Sequence, residues 1–140
     1  MHATENEDTS ERPRARERAQ RRAIENIALS DRSAGARVTA VVRNRIADGS
    51  QRVVITNAER EVSRELVDHA FEALRYSGLV CAPDAEGAIA LLGMTQPHDE
   101  LLAGVPWDTG DALAQLLGAA RERLVSVLLL PPARHALQDE

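Results

Sequence analysis

The side chains best suited to hold a metal or act as a nucleophile are His2, His69, His98, His135 and Cys81. A tetrahedral site draws its ligands from closely spaced Cys or His pairs, and these five are scattered. His98, Asp99 and Glu100 are adjacent, but consecutive side chains point in different directions and do not make one site. Glu61, Glu65, Asp68 and Glu72 have the three- and four-residue spacing of a solvated helix face. Gly104, Gly110 and Gly118 are too dispersed for a phosphate-cradling loop, and no nucleophile elbow is present. Phe71, Tyr76 and Trp107 are the only aromatics, too few for a base-stacking platform. The residue pattern predicts no catalytic group, no metal and no cofactor. Cys81 reads as a small hydrophobe.

The chemistry that does stand out is basic. In "RPRARERAQRR", six arginines (Arg12, Arg14, Arg16, Arg18, Arg21 and Arg22) face one acid, Glu17. A guanidinium pairs bidentately with phosphate, and a basic arm of this kind can follow a nucleic-acid backbone or enter a minor groove. The net charge of −5 gives no chain-wide attraction to a polyanion, so any such contact is local to the arm.

The elements that must position these groups follow from hydropathy. Residues 1–35 read as a flexible charged arm, disordered or a loosely attached helix, residues 36–130 as a single domain, and residues 131–140 as a polar tail. Val38, Val41, Val42 and Ile46 predict a helix stopped by Gly49, and Arg52–Ile55 a short strand. Thr56 and Glu59 have capping-box spacing, and Gly78 suits a left-handed stop, which predicts one helix over 57–77. Residues 79–82 and 88–92 predict a β-hairpin across a turn at Asp84–Gly87. Leu113, Leu116, Leu117, Ala120, Leu124, Val127 and Leu128 predict a last amphipathic helix ended by Pro131 and Pro132. Its Leu113, Leu116, Leu117 and Leu124 are candidates for self-association as a homodimer. A lone cysteine fits a reducing cytoplasm, and no apolar run approaches the roughly 20 residues of a membrane span.

"VSRELVDHAFEALRYSGLV", residues 62–80, resembles the recognition helix and strand entry of the winged-helix domain in GntR-type transcription regulators. The matching residues are Val62, Ser63, Arg64, Val67, Ala70, Leu74, Gly78, Leu79 and Val80. The resemblance extends over about residues 38–92, with "VVRNRIADGS" as the first helix and the hairpin as the wing. It implies a small helical α+β domain with a β-hairpin. The function it implies is a non-enzymatic regulator touching duplex DNA through the arm and Arg64. The acids on the outer face of the 57–77 helix oppose docking by that face, which leaves the arm as the main contact. The alternative is a protein-interaction or assembly protein, of a kind phages encode, with no nucleic-acid contact.

Overall fold

The computed structural model describes residues 22–29, 33–84, 86–107 and 109–131. Its elements run β1 (Arg22–Ile27), α1 (Ala34–Ala47), β2 (Arg52–Asn57), α2 (Arg64–Ala73), β3 (Leu79–Pro83), β4 (Ile89–Met94), α3 (Asp99–Ala103), α4 (Ala112–Glu122) and β5 (Leu128–Leu129). The strands make one mixed sheet in the order β1-β2-β4-β3-β5. β1 is parallel to β2 and β5 to β3, while β4 runs antiparallel to both β2 and β3.

The three middle strands are nearly continuous apolar runs because both of their faces are covered. Val53, Ile55, Leu79, Cys81, Leu92 and Met94 share one core with Val38 and Val42 of α1, Leu101 and Leu102 of α3, and Leu116 and Ala120 of α4. Val54, Val80, Ala82 and Leu91 face the other way, onto Leu66, Ala70 and Phe71 of α2 and Leu74 just beyond it. At Gly93 of β4 an added Cβ would lie 2.8 Å from Val80 Cγ2 and 3.0 Å from Leu74 Cδ1, so the missing side chain lets α2 sit close on the sheet.

This architecture replaces the winged-helix expectation. The expected wing, β3 and β4, lies in the sheet interior with all but Pro83 of its strand residues buried, whereas a wing projects into solvent. The expected 57–77 helix starts only at Arg64, after a strand that runs through Asn57. Thr56 and Asn57 are drawn into β2 because that strand pairs on both edges, with β1 and with β4. The working cap is Ser63, whose Oγ accepts a hydrogen bond from Leu66 N at 3.0 Å. Gly78 does not take the left-handed conformation, which among the described glycines is confined to Gly49 and Gly87. Gly49, at φ +107° after α1, does act as the expected stop.

Residues 22–27, read with the arm, form the edge strand β1. Ala23, Glu25 and Ile27 are half-buried and alternate with exposed Arg22, Ile24 and Asn26, the period of a strand with one open face. The remaining arm arginines called as sites, Arg12, Arg14, Arg16, Arg18 and Arg21, lie outside the described residues.

The last helix is shorter than its leucine spacing predicts. α4 ends at Glu122, and Leu124 turns the chain with φ +59°. Val125 N donates to Ala120 O at 2.8 Å and Leu124 N to Arg121 O at 3.1 Å, the paired bonds of a Schellman stop. The chain then joins β3 as β5, with Leu130 N donating to Cys81 O. Glycine is the residue that usually fills this left-handed position, and Leu124 is 92% exposed, so its side chain contributes little packing. Leu124→Gly is expected to raise stability by roughly 0.5–1 kcal/mol, read as a higher denaturant midpoint. A concentration-dependent loss of stability instead would place Leu124 in a contact between copies.

Candidate functional site

The connection after β1 leads to α1, which packs on one face of the sheet, and the connection after β2 leads to α2, on the other. Two adjacent parallel strands whose following helices lie on opposite faces leave a crevice between their carboxyl ends. Here the crevice lies between Ile27–Leu29 and Asn57–Arg60. Because β4 runs the other way, its first residue, Ile89, arrives at the same end.

Asn57 forms the floor. It is 4% exposed, and its Oδ1 accepts from Leu29 N at 3.3 Å and Glu59 N at 3.0 Å while its Nδ2 donates to Ile89 O at 2.9 Å. One amide thus ties the ends of β1, β2 and β4 together. Ala58 N adds a backbone bond to Ile27 O at 2.8 Å.

One wall is the β3–β4 turn. Asp84 Oδ1 accepts from Glu86 N at 2.8 Å and Ala88 N at 3.0 Å, and its Oδ2 lies 2.9 Å from Arg60 Nε. These contacts hold the turn and fix Arg60 at the crevice. Gly87 has φ +88°, and a Cβ there would meet Gly110 O at 2.7 Å, so the turn packs directly on the backbone leading into α4. Leu113 N donates to Gly87 O at 3.3 Å across that contact.

Two hollows flank the crevice. A pocket of about 210 Å³ is lined by Asn57, Arg60, Glu86, Trp107, Thr109 and Gly110, among others. Trp107 is buried, and its Nε1 donates to Leu102 O at 3.1 Å. The other is an open groove of about 630 Å³ between β1 and α2, lined by Arg22, Arg60 and Arg64 with Ile24, Phe71 and Asp68 among its other walls. Arg60 borders both.

Of the candidate residues named from sequence, Arg22 and Arg64 come together at this groove. The four leucines do not share one surface: Leu116 is fully buried, Leu113 and Leu117 are half-buried, and Leu124 is exposed. Asn57, Arg60 and Asp84 escaped sequence reasoning. Asn57 and Arg60 fall inside the segment read as the start of one helix, and Asp84 read only as a turn residue.

Elsewhere the titratable groups are less suggestive. Burial pushes the Cys81 thiol up to about 12, so it stays protonated and inert. Desolvation lowers the His98 pKa from its ordinary value, with the neighbouring Asp99 carboxylate pulling the other way. Among the described residues no three His, Cys, Asp or Glu side chains converge on a metal-sized site, and no helix is long and apolar enough to cross a membrane.

The family model described as "Uncharacterized protein conserved in bacteria (DUF2064)" matches residues 4–109. The chain belongs to this DUF2064 family. No curated protein matches it. Among solved structures, it is similar to that of a proposed nucleotide-diphospho-sugar transferase from Desulfovibrio desulfuricans G20, at 24% identity and a TM-score of 0.63. The likeness covers 70% of this chain and 44% of that one, so this DUF2064 chain spans under half the length of the protein it matches.

These findings overturn the GntR-type reading and with it the transcription-regulator and DNA-binding function. The described residues form a mixed five-stranded sheet, a fold similar to that of a proposed transferase, and among them there is no helix-turn-helix to present to a groove. They equally give no support to the phage assembly alternative, and they set aside the expectation of a non-enzymatic protein.

Proposed function

We propose that this DUF2064 chain binds a nucleotide-diphospho-sugar at the crevice beyond the carboxyl ends of β1 and β2, as part of a glycosyl-transfer enzyme. The observation that carries the reading is the topological switch: α1 and α2 leave adjacent strands on opposite faces, the arrangement that opens a ligand crevice in α/β sheets. The structural neighbour, a proposed nucleotide-diphospho-sugar transferase, supplies the ligand class. Arg60, held by Asp84, provides a charge for the diphosphate. The pocket under Trp107 and Thr109 is of a size for a sugar. Guanidiniums hold charge and do not move protons at neutral pH, so Glu86, which lines the pocket, is the carboxylate placed to take a proton from an acceptor.

Calorimetric titration with UDP-, ADP-, GDP- and dTDP-glucose, with and without Mg²⁺ or Mn²⁺, tests this. At least one should bind with Kd of about 1 mM or tighter, and Thr109→Phe, which fills the pocket mouth, should weaken it at least tenfold. Absence of binding by all of them sinks the reading. Binding without slow turnover that Glu86→Gln removes would leave a binding module and refute the role given to Glu86.

A further inference from the structure

The groove between β1 and α2 lies to one side of the strand-end pocket, and its lining has a different character. Its walls include the apolar Ile24, Val62, Val67 and Phe71, while three guanidiniums, Arg22, Arg60 and Arg64, face a single lining carboxylate, Asp68. Ile24 is 53% exposed on the open face of β1, an aliphatic surface that α2 does not reach.

The arginines are unequally engaged. Arg60 pairs with Asp84 at 2.9 Å. Arg22 stacks 4.3 Å over the Phe71 ring and lies 4.0 Å from Asp68. Arg64 is the first residue of α2, and its guanidinium makes no hydrogen bond or ion pair among the described residues. A cation at a helix N-terminus is repelled by the positive end of the helix dipole. The groove therefore concentrates positive potential from Arg64, the helix end and Arg22 beside an apolar wall. An anion would relieve that repulsion, and an apolar body attached to it would cover Ile24 and Val67.

We infer that this groove is a binding site for a phosphate carried on an apolar body, separate from the strand-end pocket. Arg64 takes the phosphate through a bidentate guanidinium contact, Arg22 neutralises the second charge, and the Ile24–Val67–Phe71 wall takes the apolar group. The inference does not rest on the nucleotide-sugar reading. An aliphatic and an aromatic phosphate share this chemistry, and the probes separate them.

The test titrates the full chain with hexyl phosphate, phenyl phosphate and inorganic phosphate. Hexyl or phenyl phosphate, or both, should bind at least tenfold more tightly than inorganic phosphate, and the better of the two identifies the body as aliphatic or aromatic. Arg64→Glu should reduce that binding at least tenfold. Its fold is not at risk, because an acid at this helix position suits the dipole, and its melting temperature should be equal or higher. Val67→Asp should bring the organic phosphates down towards inorganic phosphate. Equal binding of the three probes, or binding indifferent to Arg64→Glu, overturns the inference. So does displacement of the bound organic phosphate by a nucleotide-diphospho-sugar, which would make the groove part of that site. If the organic phosphates bind and no nucleotide-sugar does, the groove stands and the preceding proposal alone fails.

Discussion

Gly35→Val is expected to destabilise the protein by roughly 3 kcal/mol, the upper part of the range for overpacking a tight contact. Gly35 lies in the first turn of α1 and is buried. A Cβ built there would lie 2.7 Å from Leu102 O and 3.0 Å from Trp107 Nε1. Those two atoms are themselves hydrogen-bonded at 3.1 Å, so valine cannot enter without separating α1 from α3 or breaking that bond. Separation gives up buried packing between the two helices, and rupture of the bond leaves a buried polar group of the Trp107–Leu102 pair short of a partner, in addition to the steric cost. Gly35→Ala should cost less, because alanine recovers up to about 1 kcal/mol of helix propensity. Denaturant titration followed by the fluorescence of Trp107, the one tryptophan, reads both effects. A lower midpoint and a native spectrum shifted towards that of exposed indole are expected. An unchanged midpoint for Gly35→Val would show that α1 and α3 do not pack as described.

Asn57→Leu should cost about 2–5 kcal/mol and abolish the nucleotide-sugar binding proposed at the crevice. Leucine has the same number of side-chain heavy atoms but bulkier methyl groups, so the lost hydrogen bonding is compounded by overpacking. Leu29 N and Ile89 O lose their Asn57 partner, Leu29 and Ile89 are each 2% exposed, and a buried polar group left unpaired costs roughly 1–3 kcal/mol. Glu59 N also loses its acceptor, but water can replace it beside an exposed residue. Asn57→Asp separates the two halves of the amide. It keeps the acceptor for Leu29 and Glu59 and, when ionised, loses the donor to Ile89 O.

The pH dependence of Asn57→Asp has a definite sign. Burial and the facing Ile89 carbonyl raise the carboxyl pKa in the fold, against the partial offset of the Leu29 and Glu59 N–H donors, so the folded state is expected to hold its proton above the unfolded value of about 3.9. Stability relative to the natural chain is then best retained at low pH and lost as pH rises through the raised value. Urea midpoints measured from pH 4 to pH 8 should fall progressively behind those of the natural chain. A defect independent of pH would show that the donor to Ile89 is unimportant.

Much of the local structure was legible in residue patterns. The valine spacing and Gly49 marked α1, the apolar run at 52–55 marked β2, and the β3–β4 hairpin followed from two apolar segments around a turn. Patterns failed where a tertiary partner outweighed local preference. Thr56 and Glu59 look like a capping box, but Thr56 Oγ1 donates to Asn26 Oδ1 at 2.8 Å, and its backbone is paired within the sheet. Ile24 and Ile27 have helical spacing, but β2 offers a free edge and the segment becomes a strand. Leu124 continues the α4 stripe, yet a spacing rule does not register a left-handed residue.

The site was less legible than the fold. Arg22 and Arg64 drew attention as arginines near candidate binding elements, but in a winged-helix setting that the mixed sheet replaces. Their juxtaposition across 42 residues of sequence follows only from β1 lying beside β2, with α2 leaving the end of β2. Asn57 carried no signal in isolation, because its three partners come from β4, from the residue two places on, and from Leu29 beyond β1.

The sequence by itself determined which segments must be buried, where α1 and the hairpin stand, and that arginine is the basic chemistry available. Side-chain periodicity and turn propensity are local properties, and they survive being read in one dimension. Tertiary structure decided the order β1-β2-β4-β3-β5 and the placement of α1 and α2 on opposite faces, and so the existence of the crevice. Those depend on which strand edges pair and which apolar faces meet, free energies shared between segments far apart in the chain.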